Sequence, residues 1–480
     1  MTEQAASERI AKPSRGDILE LSTTSVAFEG NAVARREDGY VIFIEGALSG
    51  ESVRAEITRS KSQFAEAKLR EVITASPDRR APICQYFGTC GGCSLLHMSY
   101  DAQLATKTRQ VADVFERIGK ITDPPVLPAI GNNEREYHYR NKMEFSFSES
   151  RWLSDEEIAS GDVQDRFALG LHIRGRYDRV LDNEVCFIAH PVIPKLLELT
   201  REFAATHSLR VYDPDTVPDG LLRFLVVRNS YHTNEMMVNI VTSRYDKEMM
   251  EQYAELLKRE LQEVSTLVNN INSKRAQVAT GEKEIIIFGD GFITDHIGKP
   301  KYQISANSFF QTNTPQAETL YKIAEEYADL RPDDILWDLY CGAGTISLFV
   351  APNVKHVLGI EVVEAAITDA NANAKRNNIS NVDFISGDLR KVLTNPDIVS
   401  KHHKPSVMII DPPRSGMHPD VVKEVLELAP ERISYISCNP ATQARDIALM
   451  TEQYELLSLQ PVDMFPQTWH IECVAKLRRK

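Results

Sequence analysis

Six short apolar segments follow one another in the last third of the chain, and stretches with helical spacing separate them. They are Ile335–Leu339, His356–Ile360, Val382–Ile385, Val407–Ile410, Ile433–Ile436 and Val474–Leu477. Strands that alternate with helices predict a doubly wound, mostly parallel sheet of the α/β class. Ligands of such sheets bind outside the carboxyl ends of the strands. The residues that follow these segments are therefore the first candidates for a site.

The residues before this region are β-rich and predict two further domains. From about Asp17 to Ile73, short alternating segments are separated by glycine-containing turns, as in a small β-barrel. Between Arg54 and Arg80, seven Lys or Arg residues stand against four Asp or Glu residues. This surplus fits an RNA-binding barrel and equally an edge strand protected by charge. The predicted domains are a barrel at 14–75, a central β-rich domain at 76–305 and an α/β domain at 306–480. A helix at 100–120 is a candidate to pack on the α/β domain.

Charge and hydropathy limit the class of protein. The chain carries 55 basic and 68 acidic residues, a formal net charge of −13. This balance argues against a protein that coats nucleic acid non-specifically, but RNA stays open as a substrate because phosphate binding needs only a local positive face. Met1–Arg9 lacks the apolar core of a signal peptide, and no uncharged run is long enough to span a bilayer. We expect a cytoplasmic monomer that has no membrane partner.

Three of the seven cysteines form a cluster in the sequence: Cys84, Cys90 and Cys93. Two glycines between the last two let the backbone wrap closely, so that both thiolates can face one centre. Cys186 is the expected fourth ligand, because the remaining cysteines lie within other motifs or predicted strands: Cys341, Cys438 and Cys473. Four thiolates suit either zinc or an iron–sulfur cluster, and the spacing does not separate the two.

Two further segments carry specific expectations. Tyr137–Phe147 alternates aromatic residues with Arg140, Asn141 and Lys142, a mixture that can stack on bases and contact phosphates. A half-exposed strand with aromatic cross-strand pairs would look similar. The polar run Asn269–Glu284 predicts a surface loop.

The loop after the first strand of the α/β region indicates a ligand site. Gly342 and Gly344 allow the backbone to approach a ligand closely. The third glycine of a GxGxxG pattern is absent and the loop begins at Asp338, which suits a cationic, phosphate-free ligand such as S-adenosylmethionine better than a dinucleotide. Glu361 ends the second strand, where a carboxylate can accept both ribose hydroxyls. A dinucleotide enzyme is the alternative.

Asp411-Pro-Pro-Arg414 ends the fourth strand, beside the predicted donor site. In amino-methyltransferases of DNA and RNA this place resembles Asn/Asp-Pro-Pro-Tyr, whose aromatic ring stacks on the base. Arg414 replaces that ring and offers a charged fork for a phosphate or a base carbonyl. A purely structural turn is the alternative.

Cys438 leaves the fifth strand in the sequence Ser-Cys-Asn-Pro. A rigid strand end can hold a thiolate at the edge of a cleft, although a lone cysteine is often a small core residue. Addition of a thiolate to carbon 6 of a uracil would make carbon 5 nucleophilic, and a base must later remove the carbon 5 proton. Glu472 is the predicted base. His470 is the other candidate for the base, because at alternating strand positions it and Glu472 could face the same side. We expect His470 instead to be a structural hydrogen-bond partner.

Together these motifs resemble the RNA uracil-C5-methyltransferases, most closely the bacterial 23S ribosomal RNA enzymes. The resemblance covers nearly the whole chain. It rests on the barrel, the cysteine motif, Phe310-Gln-Thr-Asn, Asp-Leu-Tyr-Cys-Gly-Ala-Gly, Asp-Pro-Pro-Arg, Ser-Cys-Asn-Pro and the terminal His-Ile-Glu. It implies a TRAM-like barrel, a Rossmann-like methyltransferase domain, S-adenosylmethionine as the donor and ribosomal RNA as the substrate.

The resemblance also implies roles for individual residues. Cys438 would be the nucleophile and Glu472 the base, and a [4Fe–4S] cluster would bind Cys84, Cys90, Cys93 and Cys186. The donor would be held by Gln311, Tyr340, Glu361 and Asp411. Tyr340 stands where some members have Phe, and Thr345 where some have Asn. Because the tRNA-specific branch typically lacks both barrel and cluster, 23S rRNA is the expected substrate. A tRNA enzyme and a non-catalytic RNA-binding iron–sulfur protein are the alternatives.

Overall fold

The structure is a computed structural model that describes residues 11–27, 29–132, 135–161 and 166–480. Met1–Arg9, for which no signal peptide is predicted, lies outside these ranges. Within them, no helix combines the length and the apolar character that crossing a bilayer requires. The chain divides into two compact units. The first comprises Met1–Gly88, Cys93–Gln110 and Gln467–His470, and the second comprises Thr89–Gly92, Val111–Pro466 and Ile471–Lys480.

The first unit contains a closed five-stranded barrel. Its strands are β1 (Ile18–Val26), β2 (Ala32–Arg35), β3 (Val41–Glu45), β4 (Ser52–Ser60) and β5 (Phe64–Thr74), paired in the order β1-β2-β3-β5-β4. Alternate residues point inwards, so that Ile42 and Ile44 are fully buried. The predicted small barrel is confirmed. Helix α1 (Tyr100–Arg117) begins in this unit and ends in the second.

A seven-stranded sheet in the order β12-β11-β10-β9-β6-β7-β8 forms the first half of the second unit. Its strands are β6 (Lys142–Ser148), β7 (Ala168–His172), β8 (Val180–Leu181), β9 (Leu222–Asn229), β10 (Met236–Thr242), β11 (Val264–Ile271) and β12 (Lys283–Phe288). The helices are α2 (Asp155–Ser160), α3 (Ile193–Thr206) and α4 (Lys247–Glu260), and a hairpin follows, β13 (Phe292–His296) with β14 (Lys301–Ser305). Residues of α3 and α4, such as Leu196 and Tyr253, share a buried apolar cluster with Phe145 of β6.

Two expectations about this region are corrected. Asn269 and Asn270 belong to β11 and are fully buried, and Asn269 Nδ2 donates to the Ile240 carbonyl at 2.9 Å, so the polar run is only partly a loop. The predicted RNA contact is wrong for two of the aromatic residues. Phe145 and Phe147 are buried in the centre of the sheet, where they cannot stack on a base. The presence of these two aromatic side chains is therefore explained by their hydrophobic burial in the core.

The last region contains a second seven-stranded sheet, in the order β17-β16-β15-β18-β19-β21-β20. Its strands are β15 (Ile335–Leu339), β16 (His356–Glu361), β17 (Val382–Ser386), β18 (Val407–Ile410), β19 (Arg432–Ser437), β20 (Tyr454–Val462) and β21 (Glu472–Arg479). Its helices are α5 (Thr314–Ala328), α6 (Thr345–Val350), α7 (Glu364–Arg376), α8 (Leu389–Val392), α9 (Pro396–His402), α10 (Pro419–Leu428) and α11 (Pro440–Ala448), with a short 3₁₀ helix at Ala351–Asn353.

The six predicted strands of this sheet are confirmed. The first five pair in parallel, and β21 pairs antiparallel with β19. The sequence did not predict β20, an edge strand whose apolar pattern is interrupted by Ser458, Gln460 and Pro461. Leu336 and Trp337 alternate between two buried clusters, one on each face of the sheet. The α1 residues Val111 and Phe115 lie in the cluster that contains Trp337.

Candidate active site

Cys438 follows directly after β19, a strand whose six residues are all buried, and is itself half-buried. A tight turn fixes it there. The Ser437 hydroxyl donates to the Asn439 carbonyl at 3.1 Å and accepts from the Asn439 amide at 3.1 Å. Asn439 then caps α11, because its Oδ1 accepts from the Ala441 amide at 3.1 Å and Pro440 occupies the first helical position. The thiol is thus held between a rigid strand and a capped helix.

The strand register places Glu472 beside Cys438. In the antiparallel pair of β19 and β21, Ser437 lies opposite Cys473. Cys438 and Glu472 each lie one residue beyond this last pair, and the charge of Glu472 raises the pKa of Cys438. The two residues predicted as nucleophile and base are therefore neighbours at one end of the sheet.

The Asp411-Pro-Pro-Arg414 loop is fastened to the same place. The Asp411 amide donates to the Leu339 carbonyl at 3.2 Å, where β15 ends. At the other end of the loop, the Arg414 carbonyl accepts from Asn439 Nδ2 at 3.0 Å and from the Thr442 hydroxyl at 3.3 Å. These bonds hold the loop against the turn that carries Cys438.

The charges around Cys438 oppose one another. Burial, followed by the charges of Glu472 and Asp411, raises the pKa of Cys438 to about 11, whereas Arg414 lowers it. Burial and Asp411 raise the pKa of Glu472 well above its usual range, again against Arg414. Burial raises the pKa of Asp411 to about 7. Both carboxyl groups keep some accessible surface but are densely surrounded by protein. Carboxyl groups with raised pKa values beside a thiol suit acid–base chemistry.

A cleft of about 530 Å³ opens at the carboxyl ends of β15, β16 and β17. Tyr340 and Glu361 line it, whereas Gln311 and Asp411 are not among its lining residues. Three amides fix the Glu361 carboxylate: Gly342 at 3.3 Å, Val362 at 2.8 Å and Val363 at 2.9 Å. A carboxylate held this rigidly at a strand end is suited to accept ribose hydroxyls.

Tyr340 and Gln311 have different surroundings. Tyr340 has φ of +66°, a conformation that costs a non-glycine residue energy, and its amide and that of Cys341 donate to the Ile360 carbonyl at 2.9 and 3.1 Å. Burial, followed by the charges of Asp446, Asp388 and Glu361, raises the pKa of Tyr340 to about 12. The Gln311 side chain hydrogen-bonds the Tyr321 hydroxyl, which also lies 2.8 Å from Thr345 Oγ1.

Asp338 is the acidic residue at the start of the glycine loop. The side chain is fully buried, and burial raises its pKa to about 7. Ser347 Oγ donates to Oδ2 at 2.5 Å, but no group in the described part of the chain hydrogen-bonds Oδ1. Gly342 and Gly344 have φ of +54° and +75°, as a tight turn at a ligand requires. The loop therefore combines close backbone approach with a buried carboxyl group that has a second oxygen left to accept a hydrogen bond.

Asp388, which was not predicted from the sequence, also lines the cleft. It follows β17 and caps α8, because its carboxylate accepts a hydrogen bond from the Arg390 amide at 3.0 Å. Its hydrogen bond with the Arg390 side chain is the main cause that lowers its pKa to about 2. Its position after the third strand is a signal that the strand-end rule could have found. Met417, another lining residue, lies within a loop and has no such signal.

The four cysteines predicted to bind a cluster are divided between the two units. Cys84 and Cys93 belong to the first unit, and Cys90 and Cys186 belong to the second; all four are half-buried. The Cys90 sulfur accepts the Gly92 amide at 3.4 Å, a contact typical of thiolate ligands in clusters. His470 lies in the first unit, with its ring 4.0 Å from that of Trp469.

Comparison with known proteins decides the family. Residues 222–480 match the model described as tRNA (Uracil-5-)-methyltransferase, and residues 14–69 match the TRAM domain. The chain belongs to the RNA uracil-5-methyltransferase family. An uncharacterized RNA methyltransferase of Chlorobaculum tepidum is 43% identical over 470 residues, which cover 97% of each chain. Another from Porphyromonas gingivalis is 39% identical over 473 residues, covering 96% of this chain and 99% of that one.

A solved structure has the same fold as this RNA uracil-5-methyltransferase. It is the Pyrococcus abyssi tRNA (uracil-54, C5)-methyltransferase in complex with S-adenosyl-L-homocysteine. The TM-score is 0.74 at 24% identity, over 96% of this chain and 100% of that one. The predicted architecture of a TRAM barrel with a Rossmann-like methyltransferase domain is confirmed. The family match, and not this structure, is what identifies the protein as an RNA uracil-5-methyltransferase.

Proposed function

We propose that this methyltransferase modifies carbon 5 of a uridine in 23S rRNA, with Cys438 as the nucleophile and Glu472 as the base. One observation carries the chemistry. Cys438 and Glu472 each lie one residue beyond Ser437 and Cys473, the last pair of β19 and β21, and the electrostatics of both residues depend on Asp411 and Arg414. A thiol, a carboxyl with a raised pKa and a cation next to one another are what addition to a pyrimidine requires.

Cys438 begins the reaction. Its Sγ, as a thiolate, bonds to carbon 6 of the uracil, and the electron pair of the carbon 5–carbon 6 double bond shifts towards carbon 4 and its oxygen. Carbon 5 of this enolate is nucleophilic, and S-adenosylmethionine supplies the electrophilic methyl group. Arg414 lowers the pKa of Cys438 and so favours the thiolate. Gln311, Tyr340, Glu361 and Asp411 are the residues that would hold the donor.

Glu472 completes the reaction. Its carboxylate accepts the proton from carbon 5, the double bond forms again, and the bond between carbon 6 and Sγ breaks to release Cys438 as a thiolate. Burial and Asp411 raise the pKa of Glu472, which makes its carboxylate a stronger base than an exposed one.

The resemblance to ribosomal RNA enzymes in the cysteine motif and the barrel supports 23S rRNA. The Pyrococcus abyssi tRNA enzyme covers 96% of this chain, which requires it to match most of the barrel as well. A barrel therefore does not by itself exclude tRNA, and a tRNA uracil enzyme is the second candidate. A monomer in the cytoplasm stays a prediction from the sequence.

RNA that contains 5-fluorouridine tests the nucleophile. Fluorine on carbon 5 cannot leave as a proton does, so the covalent adduct persists after methyl transfer. With donor present, we expect a protein–RNA complex that survives denaturing electrophoresis with the wild type and is absent with Cys438→Ala. Native methylation by Cys438→Ala would overturn the mechanism. Mapping 5-methyluridine in 23S rRNA and tRNA from cells that lack the protein identifies the substrate, and loss in tRNA alone would reject 23S rRNA.

We also propose that Cys84, Cys90, Cys93 and Cys186 bind a [4Fe–4S] cluster. Four half-buried sulfurs suit thiolate ligation, and the amide hydrogen bond to Cys90 Sγ is the kind that tunes such clusters. Iron and sulfide analysis of anaerobically purified protein tests this. Cys93→Ser should lose the iron, whereas Cys438→Ala, which removes a cysteine outside the set, should keep it. Zinc in place of iron would contradict the proposal.

A further inference from the structure

A second cluster of ligating side chains lies at the amino end of the last sheet, away from the active site. It consists of His356, Asp383 and His402. His356 is the first residue of β16, whereas Glu361 of the donor cleft is the last. At a rise of about 3.3 Å per residue, the strand separates them by roughly 16 Å. The catalytic and donor residues described above therefore do not account for this cluster.

The sheet register brings the three side chains to one face. Asp383 of β17 lies opposite Leu358 of β16 in the parallel pair, so the two share a face. His356 is two residues before Leu358 and points to the same side. Ile398 and Val399 of α9 pack against the apolar cluster that contains Leu358, and His402 ends this helix. Two strands and one helix each contribute one ligand.

The distances match those between ligands on one metal ion. His356 Nε2 and His402 Nδ1 each lie 3.4 Å from Asp383 Oδ2, and the three ligand atoms lie within 4.8 Å of one another. Zinc bonds of about 2.0–2.1 Å imply tetrahedral edges of about 3.3–3.4 Å. A direct charge-assisted hydrogen bond would be shorter, at about 2.7–2.9 Å.

The three side chains of the cluster differ in their exposure to solvent. The side chain of His402 is 4% exposed and that of His356 is 25% exposed, whereas Asp383 is 55% exposed. The two imidazole rings stack, with 18° between their planes. The rings are thus held in place by packing, and the more exposed carboxylate leaves solvent access for a fourth ligand. Two imidazoles and one carboxylate with one open position form a donor set that zinc accepts.

We propose that His356, Asp383 and His402 bind a divalent transition metal ion of the zinc class, with water as the fourth ligand. The ion joins the edge strand β17 to β16 and α9, so its effect is on stability and not on methyl transfer. In the competing explanation, Asp383 is a surface charge that protects the edge strand β17 from pairing with another chain.

Titration of the purified full-length protein with cobalt(II) tests the site. The d–d absorption of cobalt reports a tetrahedral site, and a sulfur-to-cobalt charge-transfer band would reveal ligation by cysteines instead. We expect one equivalent bound in the micromolar range or tighter, without that band. Asp383→Asn and His402→Ala should each weaken binding by at least about 100-fold, more than changes outside the ligand set usually do. His403→Asn is the matched control, because it removes the adjacent imidazole and none of the three ligands.

Thermal unfolding gives an independent readout. Saturating zinc should raise the Tm of the wild type and of His403→Asn by a few degrees, because it binds only the folded state. Asp383→Asn should unfold near the wild-type Tm without metal and show no rise with zinc. Because Asp383 is largely exposed, this variant keeps the test valid even if His402→Ala fails to fold. Equal binding by Asp383→Asn, or loss of binding in His403→Asn, would each overturn the proposal.

Discussion

Cys438 lies among two carboxyl groups and one guanidinium, and the balance of their charges decides how much of the thiol is ionised. Glu472 and Asp411 favour the neutral thiol, and Arg414 favours the thiolate. The replacement of an aromatic residue by arginine in the Asp-Pro-Pro motif thus has an electrostatic consequence for the neighbouring nucleophile. A charge change at any of these positions should be visible in the reactivity of Cys438.

Charge-neutral variants should shift the pKa of Cys438 in opposite directions. Arg414→Gln raises that pKa, so alkylation of Cys438 by iodoacetamide below pH 10 slows by about tenfold for each unit of the shift. Glu472→Gln lowers the pKa of Cys438, because it removes a negative charge next to the thiol. That charge is present in the wild type only at a pH where Glu472 is ionised. The variant's gain in alkylation rate over the wild type should therefore grow as the pH rises. Mass spectrometry of the Cys438 peptide over pH 7–10 measures both. Arg478→Gln, at an exposed arginine paired with Glu455, should change nothing.

Loss of the base should trap the intermediate on ordinary RNA. With Glu472→Gln, Cys438 still adds and the methyl group is transferred, but the proton stays on carbon 5 and the sulfur cannot leave. We expect turnover to fall by about 10²–10⁴-fold and a covalent protein–RNA band to accumulate without fluorouridine. If the variant turns over slowly without any adduct, Glu472 acts before or during addition and is not the base that removes the proton.

The loop between β15 and α6 shows how an element enforces a site. Gly342 and Gly344 both have positive φ, but their surroundings differ. A Cβ on Gly344 would lie 2.7 Å from Phe384 Cζ, whereas a Cβ on Gly342 would meet nothing within 4 Å. Both positions need left-handed backbone, and only Gly344 also needs the space.

Alanine at these glycines should separate the two requirements. Each substitution costs roughly 1 kcal/mol in backbone strain, and Gly344→Ala adds the clash with Phe384. We expect Gly344→Ala to lower the Tm further than Gly342→Ala and to weaken binding of S-adenosylhomocysteine more, as calorimetry would measure. Equal losses in the two variants would mean that backbone strain alone sets the cost.

At the scale of the whole molecule, a chain with a net charge of −13 must bind RNA through local cations. Several arginines of the barrel are already paired with glutamates on neighbouring strands. Arg59 lies 3.4 Å from Glu66, and Arg70 lies 2.5 Å from Glu56. These pairs are exposed and contribute little to stability, but they reduce the positive potential that the basic stretch of the sequence implies.

Removal of the paired carboxylates should therefore strengthen RNA binding. The double variant Glu56→Gln/Glu66→Gln frees two arginines, and we expect RNA affinity at low salt to rise severalfold, with a steeper dependence on salt. Glu248→Gln/Glu251→Gln on α4 changes the net charge equally and is the control. If both variants gain equally, as fluorescence anisotropy would show, net charge sets the affinity and the barrel has no special role.

Most of the methyltransferase fold could be predicted because local sequence reports it directly. The six strands from Ile335 to Leu477 are apolar runs between helices, and parallel strands buried on both faces must be apolar. Glu361, Asp411 and Cys438 were found because they directly end or follow strands, where α/β sheets place their sites. Asp388 obeys the same rule. The edge strand β20 escaped prediction because an edge tolerates polar residues and proline.

The amino-acid sequence by itself determined the family, the barrel, the parallel sheet and the identity of the candidate reactive groups, since each depends on neighbouring residues or on a short motif. Tertiary structure alone decided which groups meet and which side chains are hidden. The pairing of β19 with β21 brings Cys438 and Glu472 to the same end of the sheet. The rings of Phe145 and Phe147 belong to a core that no local pattern reveals. Burial and strand pairing depend on residues far apart in the chain, and for that reason they also set the pKa of the nucleophile.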